Sequence, residues 1–175
     1  MSVTLHTSHG DVCVKLYCRQ CPKACFNFLA LCASGYYDGS TFHRSVPNFI
    51  VQGGDPTGTG KGGVSCFPHQ PYFEDEGFGE TFHNKRGVLS MAHKGGRPGT
   101  NGSQFFIEYQ AQSTFDCKYT AFGEVIKGME VLAKWETMPV DDNHRFVGQA
   151  PALREVTVTY NPFAEGDVEP PVFAS

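Results

Sequence analysis

Thr41-Phe42-His43-Arg44-Ser45-Val46-Pro47-Asn48-Phe49-Ile50-Val51-Gln52-Gly53-Gly54-Asp55 is the stretch on which the fold turns. It mixes groups that a plain strand avoids. Arg44 and Gln52 stand among Phe42, Val46, Phe49, Ile50 and Val51, and two glycines and an aspartate end the run. Read with a period of two, Phe42, Arg44 and Val46 share one face. After the Pro47-Asn48 break the alternation resumes, with Ile50 and Gln52 on one face and Phe49 and Val51 on the other. Two successive strands thus set a guanidinium and a carboxamide close to aromatic and aliphatic groups. Five fixed donors beside an apolar hollow suit a greasy ligand that carries carbonyl oxygens. An Arg that only buries its stem and keeps its head in water would read the same way.

Upstream, Val3 and Leu5 alternate with polar residues, Ser8-His9-Gly10-Asp11 turns, and Val12, Val14 and Leu16 alternate again. This is a β-hairpin. Pro22 suits the first turn of a helix, whose stripe is Cys25, Phe28, Leu29 and Cys32. Ser34-Gly35 stops it. Downstream, residues 56–81 include Gly58, Gly60, Gly62 and Gly63, show no period, and are expected to form a mobile surface loop. Gly58, Gly60 and Gly63 spell a dinucleotide fingerprint, but no helix follows, and Lys61 lacks the Ser or Thr of a phosphate loop. Short strands are expected at 87–92, 104–107, 120–125 and 156–160. A turn-rich loop is expected at 95–103. Gly128 opens a second helix with Val131, Leu132 and Trp135 inward, and Pro139 ends it. Residues 165–175 are Pro-rich and acidic and are expected to be loose.

About eight short strands and two helices are too few helices for a doubly wound sheet. The expected fold is mainly β: a closed eight-stranded antiparallel barrel capped by two α-helices, with first and last strands paired. The interior of so small a barrel is filled by side chains, so any site lies on the outer face. The domain spans 1–163, and the tail 164–175.

With 175 residues, 40% of them hydrophobic and 18% charged, the chain fits one globular domain. A net charge of −4 with no basic run argues against nucleic-acid binding. No apolar run approaches a membrane span, and the start lacks the layout of a signal peptide. The chain therefore reads as cytosolic or nuclear. Seven cysteines in such a compartment are expected to be free thiols. Their spacing does not pair two zinc knuckles, so no metal is expected. Cys21, at a helix start, is a modest candidate for redox chemistry. Neither Gly-x-Ser-x-Gly nor HExxH occurs. What remains is a surface joining Arg44, Gln52 and Gln104 to Phe49, Ile50, Ala92, Phe106 and Phe115, which suits an extended peptide with one apolar residue in a pocket.

Phe42-His43-Arg44, Phe49 to Asp55, Leu89-Ser90-Met91-Ala92 and Thr100 to Ile107 closely resemble cyclophilins in order and spacing, over about residues 1–163. The resemblance implies an eight-stranded barrel with two helices and prolyl cis–trans isomerisation without a cofactor. It implies that Arg44 is the catalytic donor, that Phe49, Ile50, Phe106 and Phe115 grip the proline ring, and that Gln52 holds Arg44 and a substrate carbonyl. Gly62, Ala92, His93, Gln104 and Tyr119 would bind the flanking peptide, while Phe42 and Phe105 would point into the core. Finer features are similar to an isomerase-like subgroup associated with spliceosomal complexes, so a monomer acting on proline-containing proteins, spliceosomal ones among them, in the nucleus or cytoplasm, is expected. The alternative is a proline-peptide binding module with little catalysis. Four positions depart from the common pattern: Ile50 replaces a frequent Met, His93 an Asn, Thr114 a Trp and Tyr119 a His. Thr114 removes an indole donor and a flat wall, so weak cyclosporin binding is expected.

Overall fold

The computed structural model describes residues 2–172. The opening hairpin is β1 (Val3–Thr7) and β2 (Gly10–Leu16), followed by α1 (Pro22–Ala33). Next come β3 (Ser40–Thr41), β4 (Arg44–Val46), β5 (Ile50–Gly53), β6 (Val88–His93), β7 (Asn101–Glu108), β8 (Ala121–Lys127), α2 (Met129–Thr137) and β9 (Ala152–Val158). All pairings are antiparallel, in the order β3-β9-β1-β2-β8-β6-β7-β5-β4. The expected pairing of first and last strands is present, with Leu5 opposite Val156.

Nine strands stand where eight were expected, because the stretch from Ser40 to Val46 is two strands, not one. The two ends of the hydrogen-bonded series, β3 and β4, are consecutive in the chain and joined only by Phe42 and His43. Two linking residues span little more than 10 Å, so chain continuity forces the sheet to curl until its edges meet. At the break Phe42 turns into the core, 1% exposed, against Trp135 at 4.5 Å and Phe105 at 6.1 Å between ring centroids. Its ring lies so close to Gly53 that a Cβ there would come within 2.8 Å of Phe42 Cδ1. The period-two reading that put Phe42 beside Arg44 therefore fails, while Phe42 and Phe105 do face inward.

α1 buries Cys25, Phe28, Leu29 and Cys32 as its spacing predicts. Phe28 packs on Phe105 and Phe122 at 5.4 and 5.3 Å. α2 buries Val131, Leu132 and Trp135. Residues 161–168, expected to lead into a loose tail, form a turn. The Asp167 and Val168 amides donate to Pro162 O, and Val168 packs against the core. Residues 173–175 of the tail lie outside the described residues. Cys21 is buried, and burial foremost pushes its thiol up to about 12, which removes the thiolate a redox role needs. Among the described residues, no group of three or more His, Cys, Asp or Glu is placed to hold a metal ion, and no helix is long and apolar enough to cross a membrane.

Candidate active site

Residues directly opposite one another in an antiparallel ladder point to the same face. Register therefore assembles one outer row across five strands: Arg44 opposite Gln52, Gln52 opposite Phe106, Phe106 opposite Ser90, and Ser90 opposite Ala121. The next row carries Val46, Ile50 and Glu108. Phe49 joins this face although alternation predicted the other. Asn48 has φ 61° and the Phe49 amide donates to Val46 O, so Phe49 ends a tight turn and does not belong to the strand's pleat.

Ile50, Ala92 and Phe106 form a small buried apolar cluster separate from the main core, with Phe49, Phe115 and Tyr119 packed against it. The rings meet edge to face: Phe49 to Phe115 at 5.5 Å, Phe106 to Phe115 at 5.6 Å, and Phe106 to Tyr119 at 5.7 Å. Every apolar residue named from the sequence for ring binding is here. The cluster has the apolar, aromatic character that a small apolar ring would pack against.

One edge of the hollow is polar. Gln52 Nε2 donates to Gln104 Oε1 at 2.9 Å, and Gln104 Nε2 donates to Gly60 O and Gly62 O at 3.0 and 2.8 Å. Gln52 thus does not hold Arg44, as the sequence implied. Its amide is bound to Gln104, and Arg44 makes no side-chain hydrogen bond or ion pair among the described residues. The half-buried guanidinium keeps all five donors for a ligand. Gly62, Ala92, His93 and Gln104 line a cleft beside it together with Tyr72 and Gly63.

Two buried aspartates build these walls, and neither was singled out in the sequence. Asp55 is fully buried and accepts from the Thr57 amide and hydroxyl and from the Gly60 and Gly62 amides, at 2.7–3.1 Å. Burial alone would raise its carboxyl, but these bonds outweigh burial and hold it below the usual carboxylate range. The segment read as a mobile loop is therefore wound round an anion at its start. Gly62 is required there, since a Cβ would come within 2.4 Å of Asp55 Oδ1.

Asp75 does the same for the opposite wall. Its Oδ1 accepts from His93 Nε2, Asn101 Nδ2 and Thr120 Oγ1 at 2.9–3.0 Å, and its Oδ2 from the Gly99 amide at 3.0 Å. Burial opposes ionisation here too, but the His93 and Asn101 bonds prevail and keep the carboxyl low. The carboxylate fixes the proton on His93 Nε2. His93 in turn stacks on Tyr119, 4.4 Å between centroids and 19° between planes. Two departures from the common pattern, His93 and Tyr119, are thus one structural unit. Thr114, the third, is exposed on the short helical turn of residues 113–115.

Beneath Phe115 lies a buried polar knot. His83 Nε2 lies 3.0 Å from Ser90 Oγ and Nδ1 3.1 Å from Asp116 Oδ1. Glu108, fully buried, has no hydrogen bond to either carboxyl oxygen, and Oε1 is 3.8 Å from His83 Nε2. Burial first, and then the Asp116 charge, raises its carboxyl to about 8. Ser90, His83 and Asp116 resemble a nucleophilic triad in type only, because Ser90 is 0% exposed and no substrate can reach it.

The family model described as cyclophilin type peptidyl-prolyl cis-trans isomerase/CLD matches residues 2–158. A mouse protein named peptidyl-prolyl cis-trans isomerase-like 3 is 50% identical over 165 residues, 94% of this chain and 100% of that protein. Peptidyl-prolyl cis-trans isomerase 10 of Caenorhabditis elegans is 50% identical over 164 residues, 94% of this chain and 99% of its own. A crystal structure of a Cryptosporidium parvum cyclophilin type peptidyl-prolyl cis-trans isomerase, in the presence of the dipeptide Ala-Pro, superposes with a TM-score of 0.86 at 45% identity, covering 92% of this chain and 100% of that one.

Proposed function

The chain belongs to the cyclophilin-type peptidyl-prolyl cis-trans isomerase family, and on that premise we propose that its outer-face hollow binds the proline of Xaa-Pro segments in proteins and that Arg44 drives the isomerisation. One observation carries this reading: an unpaired guanidinium stands in the same cross-strand row as Gln52 and Phe106, beside a small aromatic cluster separate from the main core.

The two isomers of an Xaa-Pro bond differ little in energy, yet the barrier between them is about 18–20 kcal/mol. That barrier is lost amide resonance. As the bond twists, the lone pair localises on the prolyl nitrogen. A donor aimed at that nitrogen interacts more strongly with the twisted state than with either planar one, and only such differential stabilisation speeds the reaction. Arg44 has free donors for this purpose. Phe49, Phe106 and Phe115 hold the ring. Gln52, held by Gln104, has one amide hydrogen left to donate to the peptide carbonyl, and the cleft at Gly62, Ala92 and His93 takes the flanking backbone. No nucleophile and no proton transfer are needed.

The finer reading is a protein substrate held in a folding or remodelling event, with spliceosomal proteins as partners in the nucleus or cytoplasm and the chain acting as a monomer. The His93–Tyr119 wall, tied to Asp75, favours a restricted set of partners. The test is cis–trans exchange of an Ala-Pro tetrapeptide by NMR with catalytic amounts of protein. Uncatalysed exchange takes tens to hundreds of seconds. Exchange that accelerates in proportion to protein is the expected result. Peptide shifts that report binding without acceleration would make the hollow a docking site instead.

Cyclosporin is expected to bind weakly, because Thr114 offers neither an indole donor nor a flat wall. Calorimetry should give little heat with the wild-type protein and a clear isotherm with Thr114→Trp. Tight binding by the wild type would refute the account of residues 113–119.

A further inference from the structure

Tyr119 packs on the ring-binding cluster and His93 lines the cleft beside it. Both also line a separate hollow of about 290 Å³, with Phe78, Pro98, Cys117 and Lys118. Its walls are mainly apolar. Phe78 is 45% exposed, an aromatic ring that folding leaves uncovered. Its position is set by the turn that follows it, in which the Glu80 and Thr81 amides both donate to Gly77 O. Asp75, at the base, is spent on its four donors and leaves this hollow no free acceptor. An apolar recess with one fixed aromatic wall and one cation at its rim, opening beside a peptide groove, suits a side chain.

We propose that this second hollow is a specificity subsite, which takes a bulky apolar side chain from the same peptide whose proline occupies the Phe49–Phe106–Phe115 site. The inference rests on the proposed proline-binding function and adds what the sequence around the proline must contain. The stacked His93–Tyr119 pair, which borders the ring-binding cluster and its cleft on one side and this hollow on the other, decides the occupant: the same peptide, beside its proline. An extended peptide advances about 3.3 Å per residue, so the anchor lies a few residues from the proline. The pair at the junction also gives these two residues a role. They hold the separation between subsites fixed, through Asp75.

The test uses the whole chain and a set of Ala/Gly peptides, each with one proline and one Phe placed one to four residues to either side, each matched by a Ser control. Amide NMR titration is expected to show one spacing at which the Phe peptide binds about tenfold more tightly than its control, the size that burying part of an aromatic ring provides. Only that peptide should shift the amides of Phe78, Cys117 and Lys118. Phe78→Ala is expected to abolish the gain while leaving the control peptide's Kd and exchange rate unchanged, and Phe78→Leu to keep part of it. The proposal is overturned if no spacing gives a gain, if the gain survives Phe78→Ala, or if the shifts follow protein concentration, which would mark contact between two copies. Failure of the Ser controls themselves to bind would overturn the proline site and this subsite with it.

Discussion

Arg44→Ala is expected to lower kcat/KM for Ala-Pro exchange by about 10²–10³, the usual cost of removing one donor that acts on charge developing in the transition state. The loss should fall on kcat. Peptide Kd should stay within about threefold, because the proline ring is held by Phe49, Phe106 and Phe115, none of which depends on Arg44. Stability should change by less than about 0.5 kcal/mol, since the guanidinium has no partner to lose. Arg44→Lys should recover only part of the rate, a single point charge replacing a planar fork. Line-shape analysis of the exchanging peptide gives both parameters in one experiment. A variant that keeps the full rate, or one whose Kd rises as much as its kcat/KM falls, would remove Arg44 from the transition state.

Glu108→Gln is expected to reduce a fall in stability that the wild-type protein shows between about pH 4.5 and pH 8, to which Glu76, raised to about 7 by burial, contributes the remainder. The unfolded carboxyl loses its proton near 4.5, while the folded one keeps it to about 8. Between those values the folded chain binds one more proton than the unfolded chain, so each rise in pH removes stability, until both forms are ionised above about 8. The Glu108 share is about 5 kcal/mol. His83 works against it, because burial lowers its pKa and it resists charging as pH falls. The difference between wild type and variant reports Glu108 together with its coupling to His83, 3.8 Å away. Urea unfolding at a series of pH values measures it. Parallel curves for the two proteins would mean that Glu108 is ionised when buried, paired with a protonated His83.

Local pattern reveals what is local. The hairpin 3–16, the stripe Cys25-Phe28-Leu29-Cys32 and the inward face of α2 all follow from spacing of two or of 3.6, and all stand in the structure. The outer row from Arg44 to Phe106 was legible because its residues recur in a known order. Its polar wiring was not. Whether Gln52 reaches Arg44 or Gln104 depends on side-chain choice across three strands. The two aspartates escaped for a similar reason. Asp55 reads as the end of a strand and Asp75 as part of an acidic run, and only the fold brings Asn101 and Thr120 to Asp75. A buried carboxylate that organises loops leaves no periodic trace. Glu108 occupies a position where alternation allows an outward, solvated acid. In the fold it is fully buried with His83 3.8 Å away, and nothing within its own strand predicts that burial.

Curling by chain continuity also sets the order in which this protein can be completed on a ribosome. Ser40 and Thr41 pair only with Leu153 and Ala152, and Val3 to Thr7 need Val158 to Leu153 on their second edge. Until the residues near position 158 have left the exit tunnel, the strand before Arg44 has no neighbour and the curl has no lock. Arg44 is translated in the first third of the chain, and its strand β4 finds its neighbour β5 at once, but β3 just before it waits for Ala152 and Leu153. In a nascent chain the curl beside Arg44 therefore closes only once residues 152–158 are free to pair with β1 and β3.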